Sequence, residues 1–123
     1  FGISLTAESI NGMVLSAQAI PTESVLPEDL GGKVAKLVIS QVAQQGCVDT
    51  DHQGFMVTLM ALSPEDVTRL RIGKLAKKTV GILRLLRTFF GITFMIKSEP
   101  KKNNSVLLTC VGSGFQNFTR KHC

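Results

Sequence analysis

The sequence predicts an α+β fold in which two layers, helices on a mixed sheet, enclose the core. Three observations predict it. Strand-like alternation appears near the start, at 67–72 and near the end; apolar residues recur at helical spacing in three stretches between; and Gly, Pro and Asn separate the segments. The resulting order is ββααβαββ.

Residues 3–9, ISLTAES, and 13–19, MVLSAQA, each alternate apolar and polar. Asn11-Gly12 between them suits a type I′ turn, so 1–19 predicts a β-hairpin, ended by Pro21. VLPEDLGGKVAKLVISQVAQQG then opens a helix at Pro27, with Glu28 and Asp29 beside the positive end of its dipole. Leu30, Val34, Leu37, Val38 and Val42 form its apolar face, and Gly46 suits a left-handed C-cap. Gly31 and Gly32 each weaken the helix by about 1 kcal/mol relative to Ala, which predicts close packing of the backbone there.

The stretch CVDTDHQ, 47–53, gathers a thiol, two carboxylates and an imidazole. A hard metal ion bound at Asp49 and Asp51 would need further oxygen ligands, and a Cys47–His52 nucleophile would need a third, orienting group. The chain supplies neither, so the stretch reads as the start of a helix, with Asp49, Thr50 and Asp51 as capping residues and His52 in the first turn. Phe55, Met56, Leu59, Met60 and Leu62 predict that helix's apolar stripe, completing two helices over 27–62.

Ser63-Pro64-Glu65-Asp66 resembles another helix start, yet 67–72 alternates. We read a strand with Thr68, Leu70 and Ile72 on one face, both arginines on the other, and Gly73 as its stop. Residues 77–90 predict a helix with Val80, Leu83, Leu86 and Phe90 inward, Lys77, Lys78, Arg84 and Arg87 off the core face, and Gly91 as cap. Strands at 93–97 and 105–111, joined by EPKKNN, complete a βαββ segment over 67–111, followed by a polar, basic tail.

Charge is segregated. Residues 1–66 carry eight acids and two bases, whereas 67–123 carry twelve bases and one acid, Glu99. Such a run favours a polyanion such as RNA over a merely solvated face, because neutralising phosphates releases condensed counterions. Lys74, Lys77, Lys78, Arg84 and Arg87 are the predicted RNA- or partner-binding residues. Three widely spaced cysteines, Cys47, Cys110 and Cys123, predict a reducing compartment and no zinc site. Apolar runs fall short of the about 20 residues that span a bilayer, so no membrane partner is expected.

VLPEDLG, GCVDTDHQ, LRLLRTFFGITFMIK and LLTCVGSGFQNFTRK occur in an order and spacing that resemble the C-terminal region of the RNA 3′-terminal phosphate cyclase-like proteins. The resemblance spans nearly all 123 residues. It implies a fragment of a longer chain, lying after the family's small inserted domain and ending in the last repeat unit, with two helices on a mixed four-stranded sheet. In the related cyclases a histidine near the start of the last helix takes up AMP, and the matching position here is Lys78. The resemblance therefore implies no catalytic residue, no metal and no cofactor. It implies instead a nucleolar, non-enzymatic factor of the small-subunit processome that supports small-subunit rRNA maturation. The partners it implies are pre-rRNA, the snoRNA-containing pre-ribosome and a GTPase assembly factor. An ATP-dependent RNA 3′-phosphate cyclase and a pre-rRNA endonuclease remain as alternatives. The latter would need paired carboxylates near phosphate-binding bases, and 67–98 contains no acid.

Overall fold

The computed structural model describes residues 1–22, 24–100 and 105–119. Its elements are β1 (Ile3–Glu8), β2 (Val14–Ala19), α1 (Pro27–Ala43), α2 (Gln53–Leu62), β3 (Val67–Ile72), α3 (Lys77–Phe90), β4 (Met95–Glu99) and β5 (Ser105–Val111). The α+β class and the order ββααβαββ are as the sequence predicts. Part of the EPKKNN loop, and the end of the tail with His122 and Cys123, lie outside the described residues.

β1 and β2 pair antiparallel, from Ile3 opposite Ala19 to Glu8 opposite Val14. Their turn differs from the expected two-residue type. Ser9 N–H donates to Met13 O and Gly12 N–H to Ser9 O, and only Gly12 takes a positive φ, at 79°. That is a three-residue loop, which needs one left-handed residue rather than two. One face of the hairpin packs on α1, where Ala17, Val34 and Val38 make a small core with Ile3, Ala7 and Ala19 around it. Leu30 is buried as expected, but Leu37 and Val42 are exposed, because this hairpin is too narrow to cover the full apolar arc of α1.

The second unit is a three-stranded sheet in the order β3-β5-β4 under α2 and α3. Every neighbour pair is antiparallel. The expected mixed four-stranded sheet is therefore not what the described residues form. β5 returns beside β4 and inserts between it and β3, so no two neighbours run the same way. Val57, Met60 and Ala61 of α2, Leu86 of α3, Ile72, Leu108 and Cys110 of the sheet, and Ile92 fill the core. The predicted α2 stripe holds at Met60 but not at Phe55, 63% exposed, or at Leu59, which points outward too, while Val57 and Ala61 face inward. In a helix apolar on nearly every side, periodicity cannot select the buried face. β3 buries the face that the alternation predicts, β4 starts two residues later than expected, and Gly91 caps α3 at φ 67°.

The two units meet through the connection between α1 and α2. Gly46 is not the left-handed C-cap; Gln45 takes the positive φ, at 55°. Gly46 lies against Gly73, and a Cβ on it would clash with the Gly73 nitrogen. Cys47 N–H then donates to Arg71 O of β3, 2.8 Å away, meeting the outer edge of that strand at one point. The close packing expected at Gly31 and Gly32 is absent, since a Cβ at either meets nothing within 4 Å. Gly46→Ala should therefore cost about 2 kcal/mol or more through a backbone clash. Gly31→Ala should instead stabilise α1 by about 0.5–1 kcal/mol, and thermal unfolding of both variants measures the contrast.

Candidate nucleic-acid and partner interface

α3 opens without a side-chain cap of its own. Its N-cap is Ala76, its first turn contains no acid, and Lys77 and Lys78 stand there as exposed cations. Both features oppose the helix dipole, so something else must hold the turn. That something is a pair of glutamines. Gln53, 1% exposed at the start of α2, donates from Nε2 to Lys74 O at 3.0 Å. Its Oε1 accepts from Ala76 N–H and from Thr79 Oγ1, both at 3.1 Å. Gln44 Oε1 accepts Lys74 N–H at 2.7 Å. The backbone carrying Lys74, Lys77 and Lys78 is thus fixed from two sides while their side chains stay exposed.

Arg84 and Arg87 are also exposed, further along α3. At about 100° per residue, Arg84 lies nearly in line with Lys77, and Arg87 turns toward the flank away from α2. There the two arginines border a groove of about 250 Å³ between α3 and residues 92–96. The five predicted residues therefore share one helix and its entry, with the lysines at one end and the arginines on the groove wall. The rest of the acid-free run is elsewhere. Arg69 aligns with Thr109 and Met95, and Arg71 with Leu107 and Lys97, on the sheet face away from the helices. Arg71 is partly neutralised there by Glu99, 2.9 Å from its Nε.

CVDTDHQ joins the two units. α2 begins at Gln53 with His52 as N-cap, and His52 makes no side-chain cap bond, so the expected helix cap is absent. Asp49, 3% exposed, instead accepts Ser16 N–H and Oγ–H of β2 on Oδ2 at 3.1 and 3.2 Å. Its Oδ1 accepts His52 N–H at 3.0 Å and lies 2.7 Å from His52 Nδ1. Thr50 N–H and hydroxyl donate to Gln41 Oε1 of α1. Asp51 is exposed. Among the described residues no three His, Cys, Asp or Glu side chains gather as metal ligands do.

Burial by itself would raise the Asp49 pKa, but hydrogen bonds from His52 and Ser16 outweigh it and hold the carboxyl below its ordinary range. Burial pushes the Cys110 thiol up. The sequence places Lys77, Lys78, Arg84 and Arg87 on a helix, as α3 has them, but marks neither the roles of Gln44 and Gln53 nor the groove. No periodicity marks a glutamine that bonds a backbone 21 to 30 residues away.

The comparisons with known proteins bear on this geometry. Residues 1–43, which hold β1, β2 and α1, match the family described as the RNA 3′-terminal phosphate cyclase (RTC) insert domain. Over 98% of its length the chain is 39% identical to the RNA 3′-terminal phosphate cyclase-like protein of Mus musculus. The chain belongs to the RNA 3′-terminal phosphate cyclase-like family. It is also 37% identical over 98% of its length to the probable cyclase-like protein of Dictyostelium discoideum. The rRNA processing protein rcl1 of Schizosaccharomyces pombe matches over 98% of the chain at 30% identity. The chain spans 35%, 36% and 33% of these three relatives, about a third of each. The insert-domain match corrects one expectation. The chain does not lie wholly after the family's insertion, because its first unit is insert-like and has its own small core.

Asp49 supplies a pH test. Its lowered pKa means that the unfolded chain binds this proton more readily. The stability it contributes is present above the ordinary carboxylate range and is lost as pH falls through the lowered value. Asp49→Ala should destabilise by about 1–3 kcal/mol at neutral pH by orphaning the Ser16 and His52 donors. It should also flatten the loss of stability below about pH 4, as denaturant titration across pH would show.

Proposed function

We propose that the chain is part of a non-enzymatic ribosome-biogenesis factor acting in small-subunit rRNA maturation, and that α3 is its contact surface. Pre-rRNA meets Lys74, Lys77 and Lys78, and a GTPase assembly factor meets Arg84 and Arg87. The setting is the small-subunit processome in the nucleolus. The observation that carries this reading is the α3 entry, where an acid-free, exposed group of cations sits on backbone pinned by Gln44 and Gln53. Cations beside the positive end of a helix dipole weaken the helix, and phosphates there would find both the lysines and free N–H groups. The rRNA-processing relative supports the setting, and the cyclase-like names of the others fit a protein that does not cyclise RNA. The resemblance that sets Lys78 against the adenylated histidine of the cyclases supports the same reading.

Affinity of the full-length protein for pre-rRNA should fall steeply with salt. Replacing Lys77 and Lys78 with Ala should lower the log–log slope by up to about one unit for each lost phosphate contact. An unchanged slope would remove RNA from α3. Incubation with a 3′-phosphate RNA and labelled ATP should leave both unmodified. AMP on the protein, or a cyclic 2′,3′-phosphate on the RNA, would restore the cyclase.

A further inference from the structure

The inner face of the sheet is unevenly covered. Leu108 of β5 is 0% exposed, yet Ile96 of β4, opposite it in register and on the same face, is 54% exposed. The reason is the placement of α3, whose flank away from α2 stops short of β4 and leaves the groove beside it. Val80 and Leu83 of α3 form one wall, with Arg84 and Arg87 on it, and Ile92, Phe94 and Ile96 form the other. Both outer strands are sheet edges, but β3 is met at Arg71 O by the Cys47 N–H, whereas β4 pairs only with β5 among the described residues. Every second residue of Met95–Glu99 therefore turns its backbone N–H and C=O to an open side. An open edge lies directly alongside an apolar groove.

We propose that the β4 edge and this groove are a docking site for an extended segment of a partner protein with alternating apolar and acidic residues, which adds to the sheet as a further strand. Period 2 does the sorting. Side chains facing inward from a strand beside β4 would enter the groove, cover Ile96 and meet Val80 and Leu83, while the main chain pairs with β4. The charge fits as well. α3 contains no acid, and Arg84 and Arg87 make no ion pair with any described residue, so two guanidinium forks are free for carboxylates. RNA suits the groove less well. The lining is mostly aliphatic, its one aromatic ring is half-buried, and a phosphodiester chain cannot continue a strand ladder. This inference deepens the assignment of the arginines to a protein partner and rests on that assignment, not on the RNA contact of the lysines.

The test uses the full-length protein and a capped ten-residue peptide of alternating glutamate and valine, with amide signals of 95–99 as the structural readout. The peptide should bind saturably and perturb those amides. Arg84→Ala/Arg87→Ala should weaken binding by about tenfold or more through lost bidentate pairs. Ile96→Lys, at a half-exposed position that tolerates the change, should weaken it comparably. Methylating alternate peptide nitrogens should abolish binding, which a purely electrostatic contact would not show. Equal binding by every variant, or perturbation of the outer sheet face instead of β4, would overturn the proposal. So would absence of binding with the β4 amides already protected in the free protein, since the edge would then be occupied by the protein itself. Displacement of the peptide by a single-stranded RNA whose own affinity falls with Ile96→Lys would also overturn it, in favour of RNA. If only the Lys77→Ala/Lys78→Ala variant loses RNA affinity, the two sites stand or fall separately.

Discussion

A buried glutamine at the start of one helix fixes the start of the next. Gln53 directs both ends of its amide to 74–79, bonding one carbonyl, one N–H and one hydroxyl, and Gln44 holds the Lys74 N–H from the other side. Without them the α3 entry would combine an uncapped N-terminus with two cations, a combination that a free helix would fray to escape. The same connection carries Gly46, Cys47, Asp49 and Thr50, so the bonds that shape the α3 turn also join the insert-like unit to the sheet unit. At Gln53 and Asp49, both buried, such a bond is expensive to break, because the freed partner is left without water.

That clasp changes how the basic half of the chain should be viewed. The acid-free run is a single feature in sequence, but the fold divides it. β3 and β4 carry Arg69, Arg71 and Lys97 to the face turned away from the helices, and Glu99 offsets part of that charge. α3 keeps Lys77, Lys78, Arg84 and Arg87 with no acid of its own. Only the second group is both concentrated and held on fixed backbone, and pre-positioned charge loses less conformational freedom on binding than charge on a mobile loop.

Local chemistry was legible in the sequence and distant chemistry was not. The alternation in 67–72 correctly outweighed the Ser-Pro-Glu-Asp signal, and Gly91 ended α3 as its position suggests, because both depend on nearest neighbours. The α2 stripe failed where Phe55 and Leu59 were assigned inward, since a helix with little polar surface gives no contrast to read. Gly46 failed for a different reason: its missing Cβ serves a contact with Gly73, far along the chain. CVDTDHQ is built into the junction between the two units. Asp49, however, reaches back to β2 and Thr50 to α1 rather than capping α2, and no local pattern distinguishes these uses. Sheet order was beyond the pattern too, because strand neighbours follow from which elements α2 and α3 can cover together.

The central claim is that backbone held by glutamines, rather than charge alone, makes the α3 entry a binding surface. Gln53→Ala tests it most directly, since the change removes no charge and leaves every lysine in place. The measurement is RNA affinity of the full-length variant, with amide exchange at Lys74 and Ala76 reporting the turn and the rest of the sheet unit reporting the fold. The variant should lose about 1–3 kcal/mol of stability and exchange faster at those two amides. It should also bind RNA several-fold more weakly while keeping the salt slope of the wild type. Unchanged affinity with the turn demonstrably loosened would contradict the claim and reduce the surface to its charges.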